Sequence, residues 1–395
     1  MTPQTTTADY DDPSRRYSYR SELIERLRGG DGSLECGRVT LRTATSFGFC
    51  WGVDRAVSMV RDAIAEHPDE RIWLLDQMIH NPRVNADFKA MGVRFLRGPF
   101  SDPDGGDLRA DDVVIIPAFS AKVEDEERLK QLGCTIVDTT CPWVVRPHRR
   151  AVRYVNDGYT TVIHGLVRHE ETAASCSLIA SRGGHFLVVA DQVETARLCA
   201  AIRGELGAAE LLASLPEEAC SPDFDPAVHL ALVGTINQTT MLASETRLIE
   251  DMIRSAVVVR DGEAAAVDAF RELNTICKAT QDNQDAVVSM AESAGLDLMV
   301  VVGGYDSSNT RNLTRAADGR FPSYHVIGPE AVDVGSIRHR CPVTGKPLVT
   351  HDWLPAGDVT VGFTAGASTP DTLLGATIQA VLEAAQVPLE AALRP

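Results

Sequence analysis

The sequence lacks any long apolar run. None of its stretches approaches the roughly 20 consecutive apolar residues that a membrane-spanning helix requires. The first 20 residues also lack the apolar centre of a secretory signal, and Asp9, Asp11 and Asp12 make them too acidic for a transit peptide. We therefore expect a cytoplasmic protein with no membrane contact, in which residues 1–36 form a disordered N-terminal extension.

Basic residues are scarce relative to acidic ones. Lysine and arginine number 38 and aspartate and glutamate 55, which gives a net charge of −17. Binding to nucleic acid requires a basic surface that neutralises phosphates, so nucleic acid is not expected as a partner. An anionic substrate would need a pocket that is positive against this overall field.

Nucleotide-binding and paired-cysteine motifs are also missing. The sequence contains neither GxxxxGK[ST] nor GxGxxG, so nucleotide binding by those devices is unsupported. It has nine cysteines but no CxxC pair, which gives no local support to a thioredoxin-like or zinc-ribbon site. Without an export signal, we expect reduced thiols that serve in packing, as metal ligands or as nucleophiles.

Short apolar runs alternate with helical patterns along most of the chain. This order predicts an α/β fold with largely parallel sheets, and 395 residues suggest two or three domains. Helices are predicted at residues 53–64 and 370–385, and surface insertions at 217–228, 257–269 and 328–357. The predicted strands are residues 39–44, 71–75, 112–117, 160–164, 185–189, 229–234, 296–302 and 359–363.

Three cysteines share one local context. Cys50, Cys141 and Cys277 each lie between a predicted strand and a predicted helix, 91 and 136 residues apart (141 − 50 and 277 − 141). A thiol at a helix N-terminus lies at the positive end of the helix dipole, which lowers the thiol pKa and favours the ligating thiolate. The chain thus has one such cysteine per domain-sized unit.

These three cysteines allow two interpretations. A structural zinc site usually takes four ligands in close pairs, whereas an iron–sulfur cluster held by three thiolates leaves one iron open to a substrate. Each cysteine judged alone is as readily a small buried hydrophobic residue. The other cysteines lack the corner context and are predicted to pack in the interior: Cys36, Cys134, Cys176, Cys199, Cys220 and Cys341.

Polar clusters follow several predicted strands. In open α/β sheets, ligands bind beyond the carboxyl ends of the strands, and hydroxyl, amide and imidazole groups donate hydrogen bonds to phosphate oxygens. Taken singly, each cluster is as well explained as a helix cap or a turn. Their recurrence at equivalent strand ends favours a small phosphorylated ligand. The clusters occupy residues 79–83, 168–172, 236–240, 306–310 and 364–370.

Together, these motifs resemble the 4-hydroxy-3-methylbut-2-enyl diphosphate reductase family, in its longer plant and cyanobacterial branch. The resemblance runs in order from about residue 42 to about residue 381. It is most specific in Gly48-Phe-Cys-Trp-Gly-Val-Asp-Arg-Ala56 and Asp138-Thr-Thr-Cys-Pro-Trp143. Shorter matches lie at residues 80–81, 169–171, 237–240, 275–280, 307–309 and 365–368.

The resemblance implies an enzyme of isoprenoid synthesis. Such a reductase performs the last step of the non-mevalonate pathway, the reductive dehydroxylation of an allylic diphosphate to isopentenyl and dimethylallyl diphosphate. It implies three similar α/β domains around a central [4Fe–4S] cluster. We place these domains at residues 37–140, 141–274 and 275–390. It also implies an external electron donor of the ferredoxin or flavodoxin type.

The resemblance assigns roles to individual residues. Cys50, Cys141 and Cys277 would be the cluster ligands, Glu171 would feed a proton to the leaving hydroxyl, and Thr239 would position that hydroxyl. The diphosphate would be held by His80, His169, Ser307, Ser308, Asn309 and Ser368. The short bacterial branch has a diphosphate-binding histidine where this chain has Lys122, which either replaces it as a cation or points into solvent.

Two other functions fit the same residues. A cluster-dependent hydro-lyase would remove water at an open iron without an electron donor. A cluster-carrying scaffold or iron sensor would have no substrate, and it would leave the polar loops without a purpose.

Overall fold

A computed structural model describes residues 19–101, 107–293, 295–317 and 319–388. In these ranges the chain alternates strands and helices. The strands are β1 (Ser33–Cys36), β2 (Val39–Thr43), β3 (Ile72–Leu74), β4 (Arg94–Phe95), β5 (Val113–Ile116), β6 (Thr135–Asp138), β7 (Thr160–His164), β8 (Phe186–Val189), β9 (Val233–Asn237), β10 (Phe270–Glu272), β11 (Leu298–Val302), β12 (Ser323–Val326), β13 (Ser336–Arg340), β14 (Pro347–His351) and β15 (Val359–Ala365). The helices are α1 (Glu22–Gly29), α2 (Trp51–Glu66), α3 (Pro82–Ala90), α4 (Val123–Leu132), α5 (Pro142–Asn156), α6 (Glu170–Ser181), α7 (Gln192–Ile202), α8 (Ala208–Ala213), α9 (Pro226–His229), α10 (Ala243–Asp261), α11 (Glu263–Ala269), α12 (Lys278–Ser293), α13 (Ser308–Ala317) and α14 (Asp371–Ala384).

The chain divides into two compact units. The first unit comprises the residues up to Cys50, His80–Met91, and the residues from Asp282 onward. It contains a seven-stranded sheet in the order β1-β2-β15-β11-β12-β13-β14. The central strands β2, β15, β11 and β12 pair in parallel, while β1 and the β13–β14 hairpin add antiparallel edges.

The core of the first unit lies on both faces of this sheet. All five residues of β11 are buried, as expected for a central parallel strand covered by helices on both sides. Helix α1 contributes Leu23, Ile24 and Leu27 to the same core, and α14 contributes Leu374 and Ile378 at helical spacing. These apolar faces fix the positions of the loops that follow β11 and β15.

The second unit comprises Trp51–Ile79 and Gly92–Gln281. It holds two four-stranded sheets, ordered β4-β3-β5-β6 and β10-β9-β7-β8, and every pairing in them is parallel. All residues of β7 and β9 are buried, so these two neighbours form the centre of the second sheet. Their carboxyl ends therefore lie at the same edge.

The observed architecture confirms the predicted α/β class with mostly parallel sheets. Strand β7 matches its prediction residue for residue, and β2, β3, β5, β8, β11 and β15 differ from theirs by one or two residues at an end. The strand predicted at 229–234 is displaced: Pro226–His229 forms α9, and β9 begins only at Val233. Helix α2 begins two residues earlier and α14 one residue later than predicted.

The N-terminal region differs from its prediction. Within the predicted disordered extension, Glu22–Gly29 is a helix and Ser33–Cys36 is a strand, because Leu23, Ile24 and Leu27 are buried. Residues 1–18 of that extension lie outside the described ranges. Strand β2 pairs with β15, so residues assigned to the first predicted domain join the sheet of the third. The other domain boundaries remain predictions.

All three predicted surface insertions contribute to the interior. Residues 257–269 are almost wholly helical, and Val257 is fully buried. Residues 328–357 contain the β13–β14 hairpin, in which Ile337 is buried. Residues 217–228 form short helical turns, but Ala219 and Phe224 are buried in the core of the second unit. No helix among the described residues combines the length and apolar character needed to cross a membrane.

Candidate active site

In the first unit, the predicted diphosphate-binding loops meet at the end of neighbouring strands. Ser307, Ser308 and Asn309 follow β11, Ser368 follows β15, and all four residues are buried. The two loops are joined directly, because Asn309 Oδ1 accepts a hydrogen bond from Ala367 N at 2.8 Å. Ser307 Oγ accepts from Thr310 N at 3.2 Å and so caps α13.

The backbone of His80 packs against the same loops. Ser368 Oγ donates to the His80 carbonyl at 3.4 Å. Gly304 makes this approach possible, since a Cβ atom at that position would lie 2.2 Å from the His80 carbonyl oxygen. His80 itself is buried. The structure therefore brings His80 to Ser368 and to the loop that precedes Ser307.

Cys50 is held against the loop after β15. Its backbone N donates to the Ala367 carbonyl at 3.3 Å, and Gly48 N donates to the Ala365 carbonyl at 3.0 Å. Gly48 has a φ of +75°, a left-handed conformation that glycine adopts without strain. Cys50 thus lies at the strand-end edge that carries Asn309 and Ser368.

In the second unit, Glu171 and Thr239 form a buried pair. Glu171 is 2% exposed, and its Oε1 accepts from Thr239 N at 2.7 Å while its Oε2 accepts from Thr239 Oγ1 at 2.8 Å. Thr239 follows β9, and Glu171 lies in the first turn of α6, which follows β7. Because β7 and β9 are adjacent and parallel, both residues lie at the same edge of the sheet. The two hydrogen bonds fix the orientation of the carboxylate.

Cys277 adjoins this pair. Its backbone N donates to the Thr239 carbonyl at 3.1 Å. Its thiol donates to Thr280 Oγ1 at 3.0 Å, and Thr280 N donates back to the sulfur at 3.3 Å. Cys277 directly precedes α12, which is the predicted strand-to-helix context.

Cys141 occupies the N-cap position of α5. Its N donates to the Ala118 carbonyl at 3.0 Å. The predicted lowering of its pKa is wrong: burial raises the pKa of the Cys141 thiol and the Glu171 charge adds to the rise. The backbone amides at the start of α5 and the Arg55 guanidinium act in the opposite direction but are outweighed.

His169 and Glu170 stand at the start of the same helix. His169 Nδ1 accepts from Glu171 N at 3.2 Å and so caps α6, and its ring lies edge-on to Phe119 with centroids 5.5 Å apart. Glu170 is only partly exposed and accepts from Gln77 Nε2 at 3.4 Å. His169 therefore adjoins Glu171 in the chain and in space.

Lys122 is exposed at the start of α4. It lines a cavity of about 600 Å³ together with Glu124 and Cys176. The residues that line this cavity include neither Glu171 nor Thr239. The role of Lys122 toward a diphosphate stays a prediction.

None of the nine cysteines, all of which lie in the described ranges, is in a disulfide. Cys36 and Cys199 are buried in the cores, as the packing prediction required. Cys134, Cys176 and Cys220 are only partly buried against a core. The prediction is wrong for Cys341, which is partly exposed and joins none of the hydrophobic clusters formed by the described residues. Burial raises the pKa of Cys199 to about 11 and of Cys176 to about 12, so these thiols are poor ligands.

Sequence reasoning assigned no role to two residues that touch this site. Thr280 contacts the Cys277 sulfur, and Arg55 Nη1 donates to the carbonyls of Thr139 and Thr140 just before Cys141. Both residues belong to motifs that carry the resemblance, and this membership is the feature of the sequence that could have indicated them. Their roles depend on side-chain direction, which spacing does not reveal.

Parallel strands that end in polar loops, with a cysteine at each of three corners, define the class of protein. The model of the LytB protein family matches residues 41–382, and the chain belongs to this family. A 42% identical relative from Synechococcus sp. (strain RCC307) matches over 94% of this chain and 91% of its own length. A 40% identical relative from Thermosynechococcus vestitus matches over 90% and 87%. Both are named 4-hydroxy-3-methylbut-2-enyl diphosphate reductase, which confirms the predicted resemblance and the predicted class, an oxidoreductase.

Solved structures show the same fold. The Plasmodium falciparum E-1-hydroxy-2-methyl-but-2-enyl-4-diphosphate reductase superposes with a TM-score of 0.62 at 18% identity, covering 87% of each chain. A structure of (E)-4-hydroxy-3-methyl-but-2-enyl diphosphate reductase superposes with a TM-score of 0.52 at 24% identity, covering 87% of this chain and 99% of the other. At these identities the likeness establishes the fold alone.

Proposed function

We propose that this chain catalyses the reductive dehydroxylation of 4-hydroxy-3-methylbut-2-enyl diphosphate to isopentenyl and dimethylallyl diphosphate, the last step of the non-mevalonate pathway. The observation that carries the proposal is the buried Glu171–Thr239 pair, in which the Thr239 carbonyl accepts from Cys277 N. A fixed carboxyl group near a proposed cluster ligand suits the removal of a hydroxyl group, because hydroxide leaves only when it is protonated.

The donor set fits a [4Fe–4S] cluster. Cys50, Cys141 and Cys277 are reduced, only partly exposed, and each at the start of a helix. Three thiolates satisfy three irons, which is the ligation expected of a cluster with one open position. When bound, such a cluster supplies electrons and a Lewis acid. A zinc site would require a fourth protein ligand.

Glu171 is the proton-handling residue of this proposal. The balanced reaction consumes two electrons and two protons and releases one water, so a proton must reach the departing hydroxyl. Thr239 Oγ1 donates to Glu171 Oε2, and the same hydroxyl can turn to donate to or accept from a substrate alcohol. Thr239 would therefore orient the alcohol beside the carboxyl group that protonates it.

The loops of the first unit suit the diphosphate. Ser307, Ser308, Asn309 and Ser368 present hydroxyl and amide groups at the N-termini of α13 and α14. Hydrogen-bond donors and the positive ends of two helix dipoles stabilise phosphate oxygens. The buried ring of His80 adds a further donor. Local donors thus offset the acidic character of the whole chain.

Delivery of electrons requires a partner. We place an external donor of the ferredoxin or flavodoxin type in this role, as the resemblance to the reductase family implies. The acidic composition is consistent with the absence of nucleic acid among its partners. The predicted cytoplasmic location stays a prediction.

The test combines spectroscopy with turnover. The protein is purified without oxygen, its iron and sulfide are measured, and its electron paramagnetic resonance spectrum is recorded with and without the diphosphate. Turnover is followed with a chemical reductant such as dithionite-reduced methyl viologen. We expect about four irons per chain, a spectrum perturbed by substrate, and both isomeric products only when reductant is present. Turnover without reductant would indicate a hydro-lyase, and a cluster insensitive to substrate would indicate a scaffold.

A further inference from the structure

The proposed site collects negative charge. Cys141 and Cys277 would be thiolates, Glu171 is a carboxyl group, and the ligand is a diphosphate, all in a chain with a net charge of −17. Lys122, the cation suggested by the sequence, lines a cavity whose lining residues include neither Glu171 nor Thr239. A cation beside the ligands would offset this negative charge.

Arg55 meets this requirement. It lies one turn into α2, and its Nη1 is 3.5 Å from the Thr139 carbonyl and 3.4 Å from the Thr140 carbonyl. It is half-buried, so solvent screens its charge less than that of a surface arginine.

The corner that Arg55 holds is otherwise fixed from the opposite side. Thr139 is fully buried, and its Oγ1 donates to the Ile116 carbonyl at 2.6 Å. Cys141 N donates to the Ala118 carbonyl at 3.0 Å. The carbonyls at and after the end of β5 therefore accept hydrogen bonds from one side of the corner. On the other side, Arg55 from α2 donates to the carbonyls of Thr139 and Thr140.

We propose that Arg55 is a positioning residue that holds the Thr139–Cys141 corner through the two carbonyls before Cys141 and so places its positive charge close to the cluster ligand. This inference rests on the proposed function, since it concerns the ligand of the same cluster. Cluster potentials depend on net charge and on groups around the sulfurs, so the charge of Arg55 should make the cluster easier to reduce.

The test compares two substitutions of Arg55 with a matched control. Arg55→Gln removes the charge, Arg55→Lys keeps the charge but cannot reach both carbonyls in the same way, and Arg149→Gln removes an exposed charge from the helix that Cys141 begins. Each protein is reconstituted anaerobically, and its midpoint potential is measured by titration monitored by electron paramagnetic resonance. In cluster-free protein, the alkylation rate of Cys141 is measured relative to that of Cys277.

We expect Arg55→Gln to have a more negative midpoint potential and a several-fold lower ratio of Cys141 to Cys277 alkylation than wild type. Arg55→Lys should largely restore the potential while losing cluster to a chelator faster, and Arg149→Gln should match wild type. The alkylation ratio gives an answer even if Arg55→Gln binds no cluster. An unchanged ratio in Arg55→Gln, or equal shifts in Arg55→Gln and Arg149→Gln, would overturn the inference. Failure of the proposed function is distinguishable, because wild-type protein would then lack either the cluster or reductant-dependent turnover.

Discussion

At the scale of single residues, the site combines two kinds of polar group that serve different ends. Glu171 is buried with both carboxyl oxygens hydrogen-bonded to Thr239, so its direction is fixed. The serines and the asparagine of the other unit are donors at helix N-termini, where negative ligands are stabilised. The first kind suits proton transfer and the second suits anchoring, so substitutions should affect turnover and binding separately.

Glu171→Gln should abolish most turnover while leaving the cluster in place. Glutamine preserves the size and one acceptor of the side chain but cannot deliver a proton. General acid–base groups contribute on the order of 10²- to 10⁴-fold, so kcat should fall by about 10²-fold or more with little change in KM. Steady-state kinetics and iron analysis measure the two effects. Glu170→Gln is the control, and a near-normal kcat in Glu171→Gln would remove this residue from the proton path.

The three corner cysteines should differ from the packing cysteines in iron content. Cys50→Ser, Cys141→Ser and Cys277→Ser should each lose most iron and nearly all activity, because serine is a much poorer ligand for an iron–sulfur cluster. Cys199→Ser should keep both, since Cys199 is buried in a hydrophobic core. Iron and sulfide per chain, measured after anaerobic purification, decide the matter. Equal iron content in all four variants would contradict the ligand assignment.

At the scale of elements, the sequence located most of the strands it predicted, but the central strand β9 begins four residues later than predicted. Strand β7 lies at the centre of a parallel sheet, and its run of β-branched residues Thr-Thr-Val-Ile made it visible in the sequence. The β13–β14 hairpin lies in a segment that was predicted as a surface insertion from its composition, and none of the residues of its strand Pro347–His351 is buried. Residues 257–269 contain Gly262, which marks the break between α10 and α11 and suggested a loop.

The candidate site was predictable in its residue types but not in its contacts. The recurrence of polar loops at strand ends indicated Ser307–Asn309 and Ser368, and adjacent strands bring these together. The Glu171–Thr239 hydrogen bonds and the Arg55 clamp depend on side-chain rotamers and on which strands are neighbours. Spacing along the chain does not encode either property. The pKa of Cys141 was predicted in the wrong direction because burial outweighs the helix dipole.

The loop after β11 should tolerate no side chain at Gly304. A Cβ there would lie 2.2 Å from the His80 carbonyl oxygen, which belongs to backbone and cannot rotate away. Gly304→Ala should therefore displace His80 and the Ser307 loop and raise KM about tenfold, equivalent to about 1.4 kcal/mol of binding free energy. Steady-state kinetics and a thermal melt measure this. Gly335→Ala, whose Cβ would meet nothing within 4 Å, is the control. An unchanged KM in Gly304→Ala would show that the loop geometry does not govern binding.

At the scale of the whole molecule, one unit is assembled from distant segments. The residues up to Cys50 and those after Asp282 share a sheet, which β2 enters beside β15 across more than three hundred residues. Linear reasoning divides a chain into consecutive domains, so it cannot find such a pairing. The family model spans residues 41–382 as one match, as expected when early and late segments build the same core.

Stability should depend on pH through Glu250, a carboxyl group outside the candidate site. Glu250 is buried on α10, and its Oε1 has no hydrogen-bond partner among the described residues. Burial, with the nearby Glu272 charge, raises its pKa from 4.5 to about 7. The folded protein therefore binds this proton more tightly than the unfolded chain does. That contribution is fully present below about pH 4.5 and is lost as the pH rises through about 7.

Glu250→Gln should remove this dependence and stabilise the protein in mild alkali. At pH 5 the carboxyl group of the folded wild-type protein is protonated and resembles the amide, so the two melting temperatures should be close. At pH 8 the wild-type protein carries a buried charge, so the variant should be more stable. The expected difference in the free energy of unfolding is about 1 to 2 kcal/mol, less than the full pKa shift would give, because solvent partly screens the charge. Thermal melts of both proteins at pH 5, 6, 7 and 8 measure the difference.

Glu263→Gln, at an exposed carboxyl group on α11, should follow the wild-type profile. Burial lowers the pKa of His148 to about 4, so the stability of both proteins should also fall toward acid pH. The informative quantity is therefore the difference in stability between the two proteins at each pH. A gap that stays constant from pH 5 to pH 8 would show that Glu250 is ionised in the same way in the folded and unfolded chain.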